Sequence, residues 1–153
     1  MTSQDLAQKL TRIGIVCQAS LDFHLQLSDV SLTTERSVAV VVSHRGRTAE
    51  AVEVAGAAKA HGATIIAITN VPGLPLGKLA DIVLNTAASE GRFRAGATTS
   101  RIAQLAVVDF LFVRVVQTRF AEANAALAVT RDTLWAHGLR WEPQSGDDAE
   151  DET

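Results

Sequence analysis

A three-layer α/β/α fold around a mainly parallel sheet is predicted by three observations. Residues 38–42 (VAVVV) and 64–69 (TIIAIT) are β-branched runs of strand length with no polar alternation. Runs of this kind are buried on both faces, as parallel strands are. The segment between them is long, alanine-rich and helical in pattern, the length of a crossover rather than a hairpin. At 153 residues, with 47% apolar and 20% charged residues, the chain has the size and balance of one soluble domain.

The elements follow in order. Residues 4–11 read as a helix that stops at Gly14, residues 15–17 as a weak short strand, and residues 21–30 as a second helix. The strand at 38–42 leads into a helix over 48–61, with Val52, Ala55 and Ala58 on one face. Glu50 and Glu53 lie near its start, His61 ends it and Gly62 follows, the charge and glycine asymmetry of a complete helix. After the strand at 64–69, Pro72, Gly73 and Pro75 mark a loop, and Pro75 opens a short helix to Ala80. Residues 81–84 (DIVL) form another short strand. Residues 97–119 form a long helix that is apolar nearly all round, through Ile102, Leu105, Val108, Leu111, Phe112, Val115 and Val116. A helix without a wet face is buried between other elements or against a partner. A last helix spans 120–137 and stops at Gly138, and Trp135 and Trp141 are expected to pack it, or a partner. Residues 1–141 form the domain, and residues 142–153 a disordered acidic tail.

Composition excludes several functions. One cysteine, Cys17, forms neither an internal disulfide nor a paired-cysteine zinc site, which points to reducing cytosol. No signal peptide is visible, and the most apolar stretch, 102–116, holds Asp109 and Arg114 and is too short to span a bilayer. The net charge is −3. Five of the 17 acids lie in the tail, leaving 12 against 14 bases in the body, which is no footprint of a nucleic-acid binder. His24, His44, His61 and His137 lack metal-ligand spacing, so neither a metal nor a cofactor is expected. Asp109, in an apolar helix, is expected in a structural hydrogen bond or a subunit contact.

The segment that carries chemistry is Ser43-His44-Arg45-Gly46-Arg47-Thr48, between a buried strand and a helix. Gly46 permits a tight turn. Free amides at the helix start and the helix dipole favour an anion. Ser43 and Thr48 add hydroxyls, and Arg45 and Arg47 add charge. Ser43, Arg45, Gly46, Arg47 and Thr48 therefore form a candidate phosphate cradle, and His44 is placed to touch the rest of a ligand.

VVSHRGRTAEAVEVAGAAKAHGATIIAITN resembles the core of the sugar isomerase (SIS) domain. That family carries Ser-x-Ser-Gly-x-Thr after a strand, then a helix ending Ala-Lys-x-x-Gly, then a strand ending in Thr. Here Ser43, Gly46, Thr48, Ala58, Lys59, Gly62 and Thr69 stand in register. PLGKLADIVL (75–84) is similar to the family's Pro-Leu-x-x-x-Ala-Asp-x-x-Leu. SRIAQLAVVDFLF (100–112) resembles the long helix of the sugar-sensing domain in RpiR-type bacterial transcription regulators, and QDLAQKLTRIG (4–14) the end of its first helix. The resemblance runs over about residues 4–117.

The resemblance implies a flavodoxin-like sheet and binding of a phosphorylated sugar or amino sugar without turnover, as the effector-sensing part of a regulator. It also implies a homodimer or higher homo-oligomer through the 97–119 helix, with Leu105, Phe112 and Val116 on faces one sheet cannot cover. Glu90 matches a glutamate that moves protons in enzymatic relatives, and it is expected here to bind sugar hydroxyls. Two alternatives stand: a sugar-phosphate isomerase, and a truncated remnant without function.

Three departures from the family are visible. Arg45 replaces a second serine of the phosphate loop, and its side chain could also block the cradle. Leu74-Pro75-Leu76 replaces Ser-Pro-Leu, losing a hydroxyl cap. Met1 falls inside the first helix, so the family's first strand with its Gly-x-Gly-x-Ser turn, and the preceding helix-turn-helix DNA-binding domain, are expected to be missing. Loss of that strand would leave residues 38–42 with an unpaired apolar edge. Either residues 15–17 cross over to pair with them, or the N-terminal segment packs loosely and another chain covers the edge.

Overall fold

The computed structural model describes residues 2–88 and 98–138. The chain runs α1 (Thr2–Arg12), α2 (Phe23–Ser31), β1 (Val38–Val42), α3 (Ala49–Ala60), β2 (Thr64–Thr69), α4 (Pro75–Leu79), β3 (Ile82–Asn85), α5 (Thr98–Thr118) and α6 (Phe120–Ala136). The three strands are parallel in the order β1-β2-β3, with Val40 opposite Ile66 and Ile68 opposite Leu84.

Alternation along the strands assigns the two faces. Ala39 and Val41 of β1, Ile65 and Ala67 of β2 and Val83 of β3 pack with α2, α3 and α4. Val40 and Val42, Ile68 and Leu84 pack with Leu6 and Leu10 of α1 and Val107, Val108 and Leu111 of α5. Helices therefore cover both faces, as the continuous apolar strands require. The alanines of α3 bring its backbone close to the sheet, with Ala55 and Ala58 fully buried. α6 lies against α1 and α5 through the buried Ala123.

Asp81 splices this framework. Its carboxylate accepts from the Ile65 amide at 2.8 Å and from Lys59 Nζ at 2.9 Å, while its own amide donates to the Ile65 carbonyl. The side chain thus continues the β2–β3 ladder and ties it to the end of α3. These donors, the Ile65 amide first and Lys59 second, hold the Asp81 carboxyl below the usual carboxylate range.

Two expectations fail. Residues 15–17 form no strand: Ile15 donates to the Leu10 carbonyl in the turn that ends α1, and Val16 is 94% exposed. A run of three residues at the end of a helix turn has too few ladder bonds to hold itself extended. The proposed crossover onto β1 therefore does not occur, and among the described residues the sheet has three strands rather than four. In the β1–β2 ladder, Ser37 accepts from Thr64 and Ser43 donates to Ile68, so Val38, Val40 and Val42 turn their amides and carbonyls to the other side. No strand pairs with that edge among the described residues.

The second failure concerns α5. Leu105, Phe112 and Val116, expected to be left uncovered, are half-buried. The exposed stripe is instead Ile102 (63% exposed), Phe110 (75%) and Val113 (51%), which recur at helical spacing on the side away from Val108. Asp109 is exposed and pairs with Lys9 of α1, which also pairs with Asp5 at 2.7 Å. Both carboxylates raise the Lys9 pKa, Asp109 the more. The structural hydrogen bond expected for Asp109 is present, donated by Lys9, although the residue is not buried.

Candidate functional site

The carboxyl ends of β1 and β2 lie side by side and hold one loop each. After β1, Ser43 is buried and its amide donates to Ile68 of β2, so the ladder extends one residue into the loop. The chain then turns at Gly46, whose φ of +63° favours glycine. A Cβ at Gly46 would stand 3.1 Å from Thr69 Oγ1. The turn is fastened to its neighbour by three bonds. Asn70 N donates to the His44 carbonyl at 2.8 Å, Thr69 Oγ1 donates to the same carbonyl at 3.2 Å, and Leu76 N donates to the Gly46 carbonyl at 3.1 Å.

Thr48 is the N-cap of α3, yet its side chain caps no helix amide. Its hydroxyl lies 3.1 Å from Ser43 Oγ instead. The first intrahelical bond runs from Val52 N to the Thr48 carbonyl. The amides of Ala49, Glu50 and Ala51 precede it and have no acceptor within the helix. A helix start with its amides uncapped, beside two paired hydroxyls, is a candidate anion site in the positive end of the helix dipole.

Beside it opens a cleft of about 400 Å³, lined by His44, Arg45, Arg47, Asn70, Val71, Leu74 and Ala88. Arg45 and Arg47 are both exposed, so the Arg45 side chain is not packed into the cradle. The opposite wall is the β2–α4 loop. Its shape depends on Gly77, where a Cβ would fall 2.0 Å from the Pro72 carbonyl oxygen. Leu74, the N-cap of α4, makes no side-chain cap bond, as the lost hydroxyl predicts.

The structure thus brings together Ser43, His44, Arg45, Gly46, Arg47 and Thr48. Glu90 lies outside the described residues. Reading the loop alone missed Asn70, Val71 and Leu74, which build the facing wall. The signal was the adjacency of two parallel strands, whose carboxyl-end turns must share one crevice. Burial raises the Cys17 thiol pKa, the opposite of an activated nucleophile. Among the described residues, no group of three or more His, Cys, Asp or Glu side chains could hold a metal ion, and no helix is long and apolar enough to cross a membrane.

A family model described as the SIS domain matches residues 1–114. The chain belongs to the SIS domain family. It is 41% identical over 134 residues to an HTH-type transcriptional regulator of Caldanaerobacter subterraneus subsp. tengcongensis, a match covering 88% of this chain and 48% of that protein. It is 37% identical over 126 residues to the HTH-type transcriptional regulator RpiR of Escherichia coli K12, covering 82% and 43%. The SIS chain spans less than half the length of these curated relatives. Vibrio vulnificus NanR, solved in complex with ManNAc-6P, superposes with a TM-score of 0.80 at 26% identity, over 89% of this chain and 51% of that one. The sugar isomerase domain of an RpiR transcription factor from Sphaerobacter thermophilus shares the fold, with a TM-score of 0.69 at 20% identity over 86% and 72%.

Proposed function

We propose that this SIS domain binds a phosphorylated sugar or amino sugar, without converting it, as the effector-sensing part of a cytoplasmic bacterial transcription regulator. The observation that carries the reading is the uncapped start of α3 beside the Ser43–Thr48 hydroxyl pair, next to a cleft lined by two arginines. The phosphate sits against the amides of residues 49–51 and the two hydroxyls, with Arg45 and Arg47 supplying charge. The sugar extends past His44 toward Asn70 and Leu74, and Glu90 takes its hydroxyls. The complex of NanR with ManNAc-6P, 26% identical, supports this ligand class, and the matched regulators of transcription support sensing over catalysis. DNA is contacted by other parts of such a regulator.

The same reading includes self-association through the exposed stripe of Ile102, Phe110 and Val113 on α5. A row of large apolar side chains left in water on a well-formed helix is the mark of an interface.

Calorimetric titration with hexose and hexosamine phosphates is the test. Saturable binding that is lost in Ser43→Ala with Thr48→Val is expected. No heat of binding at millimolar ligand would reject the proposal. Interconversion of aldose and ketose phosphates, abolished by Glu90→Gln, would replace sensing with catalysis.

A further inference from the structure

We propose that the outer edge of β1 is a docking slot for one extended strand of another polypeptide, a strand with apolar residues on both of its faces. In the β1–β2 ladder Ser37, Ala39, Val41 and Ser43 face β2, so Val38, Val40 and Val42 direct their N–H and C=O groups outward. Such a row is a template for a further strand. The helical layers reach beyond the sheet on this side. α3 covers β1 and β2, and α2 packs on α3, away from α4, more than on the sheet. On the opposite face α1 lies over β1, beside α5. Phe23 and Leu27 of α2 and Leu10 of α1 turn toward the two cores yet remain half-buried. The space between these two helices has the place of an outer strand, and no described strand fills it.

The chain between α1 and α2 bounds the far side. It passes from one face of the sheet to the other at this margin. Ile15, Cys17 and Ala19 are half-buried along it, and Val16 and Gln18 are exposed, the period of an extended chain. The cover fixes the chemistry of the occupant. A strand between α1 and α2 buries both faces, so it carries a continuous β-branched apolar run of about the length of β1 rather than an alternating one. A second copy of this chain does not fit. Its β1 is flanked by its own α1 and α2, and two margins that each overhang their sheet meet helix to helix before the strands can pair. The occupant therefore arrives as a bare strand, without helices of its own at that point.

Amide hydrogen exchange of the 153-residue chain, read by NMR, tests this with two lysine-flanked peptides. One has valine throughout its centre, the other valine alternating with glutamate. In the chain alone Val38, Val40 and Val42 are expected to exchange about tenfold faster than Ala39 and Val41, whose amides face β2. The all-valine peptide is expected to slow those three amides about tenfold, and the alternating peptide to leave them unchanged. Val40→Pro removes an outward N–H and no bond to β2, so the peptide effect should vanish while Ala39 and Val41 stay protected. Val38→Lys, at a position already 57% exposed, should weaken the effect without touching the ladder, and it serves where the proline variant does not fold. No protection by the all-valine peptide at millimolar concentration overturns the proposal. Equal protection by the alternating peptide overturns it too, because the slot would then not enclose both faces. Protection in the chain alone that fades on dilution assigns the edge to a second copy and likewise overturns it.

Discussion

On the face of the sheet covered by α2, α3 and α4, nine buried residues form one cluster, from Val30 and Val41 through Ala55 and Ala58 to Leu76. On the face covered by α1 and α5, the buried cluster that packs on the sheet among the described residues is Leu6, Ile68 and Val108. The strands are equally apolar on both sides, and α5 is the longest helix, so the difference does not come from composition. It comes from side-chain size and placement. α3 presents alanine to the sheet and seats tightly. α5 carries large apolar residues all round, and the sheet reaches only one side of it. The first layer is complete within the chain and holds the candidate ligand loop. The second leaves Ile102, Phe110 and Val113 of α5 exposed.

The largest effect that would sharpen this contrast lies in the complete layer. Ile65→Ala removes a fully buried side chain and is expected to cost about 2–5 kcal/mol in urea unfolding. Phe110→Ala, on the outer stripe of α5, is expected to cost under about 0.5 kcal/mol at high dilution, where the chain is monomeric. Comparable losses for the two would show that the α5 stripe is already covered within one chain, and the contrast would fail.

Gly77→Ala probes the wall of the cleft. With the Pro72 carbonyl 2.0 Å from the new Cβ, the β2–α4 loop must move, at a cost of about 1–3 kcal/mol. Weaker phosphosugar binding should accompany it, measured by the same calorimetry. Unchanged stability and binding would show the loop to be free to shift.

Phe110→Asp addresses the incomplete layer. Wild-type chain at micromolar concentration is expected to scatter light as a dimer or larger oligomer, and the variant as a monomer with its secondary structure intact. A monomeric wild type would mean that α5 stands in water unassisted, and the interface assignment would fall.

How much of this was legible beforehand follows the same division. The strands at 38–42 and 64–69 and the helix of α3 could be read directly, because burial on both faces leaves an unbroken apolar run and α3 carries its own stop signal at Gly62. The turn at Gly46 was legible for the same reason, since it is local, strand to turn to helix. The facing wall was not, because Asn70 and Leu74 meet His44 and Gly46 only through strand pairing. The outer face of α5 was misread because a helix apolar all round offers no periodicity to say which stripe turns inward. Residues 15–17 looked extended because Ile15 and Val16 are β-branched, yet no neighbouring strand receives them.

The smallest expected effect is a pH dependence in the complete layer. Asp81 has a lowered pKa in the folded chain, so the unfolded state binds more protons. Its stabilisation is present in full above the ordinary carboxylate pKa and is lost as pH falls through the lower folded value. Acid titration of the melting temperature should therefore fall less steeply in Asp81→Asn than in wild type. Parallel curves would show that the splice between β2 and β3 does not depend on charge.

The central claim is that the start of α3 receives the phosphate. Backbone amide NMR of the labelled chain, titrated with a hexosamine 6-phosphate, tests it most directly. The amides of residues 45–51 should shift most, with Asn70 next and α5 unmoved. Shifts that cluster on α5 and leave residues 45–51 in place would contradict the account.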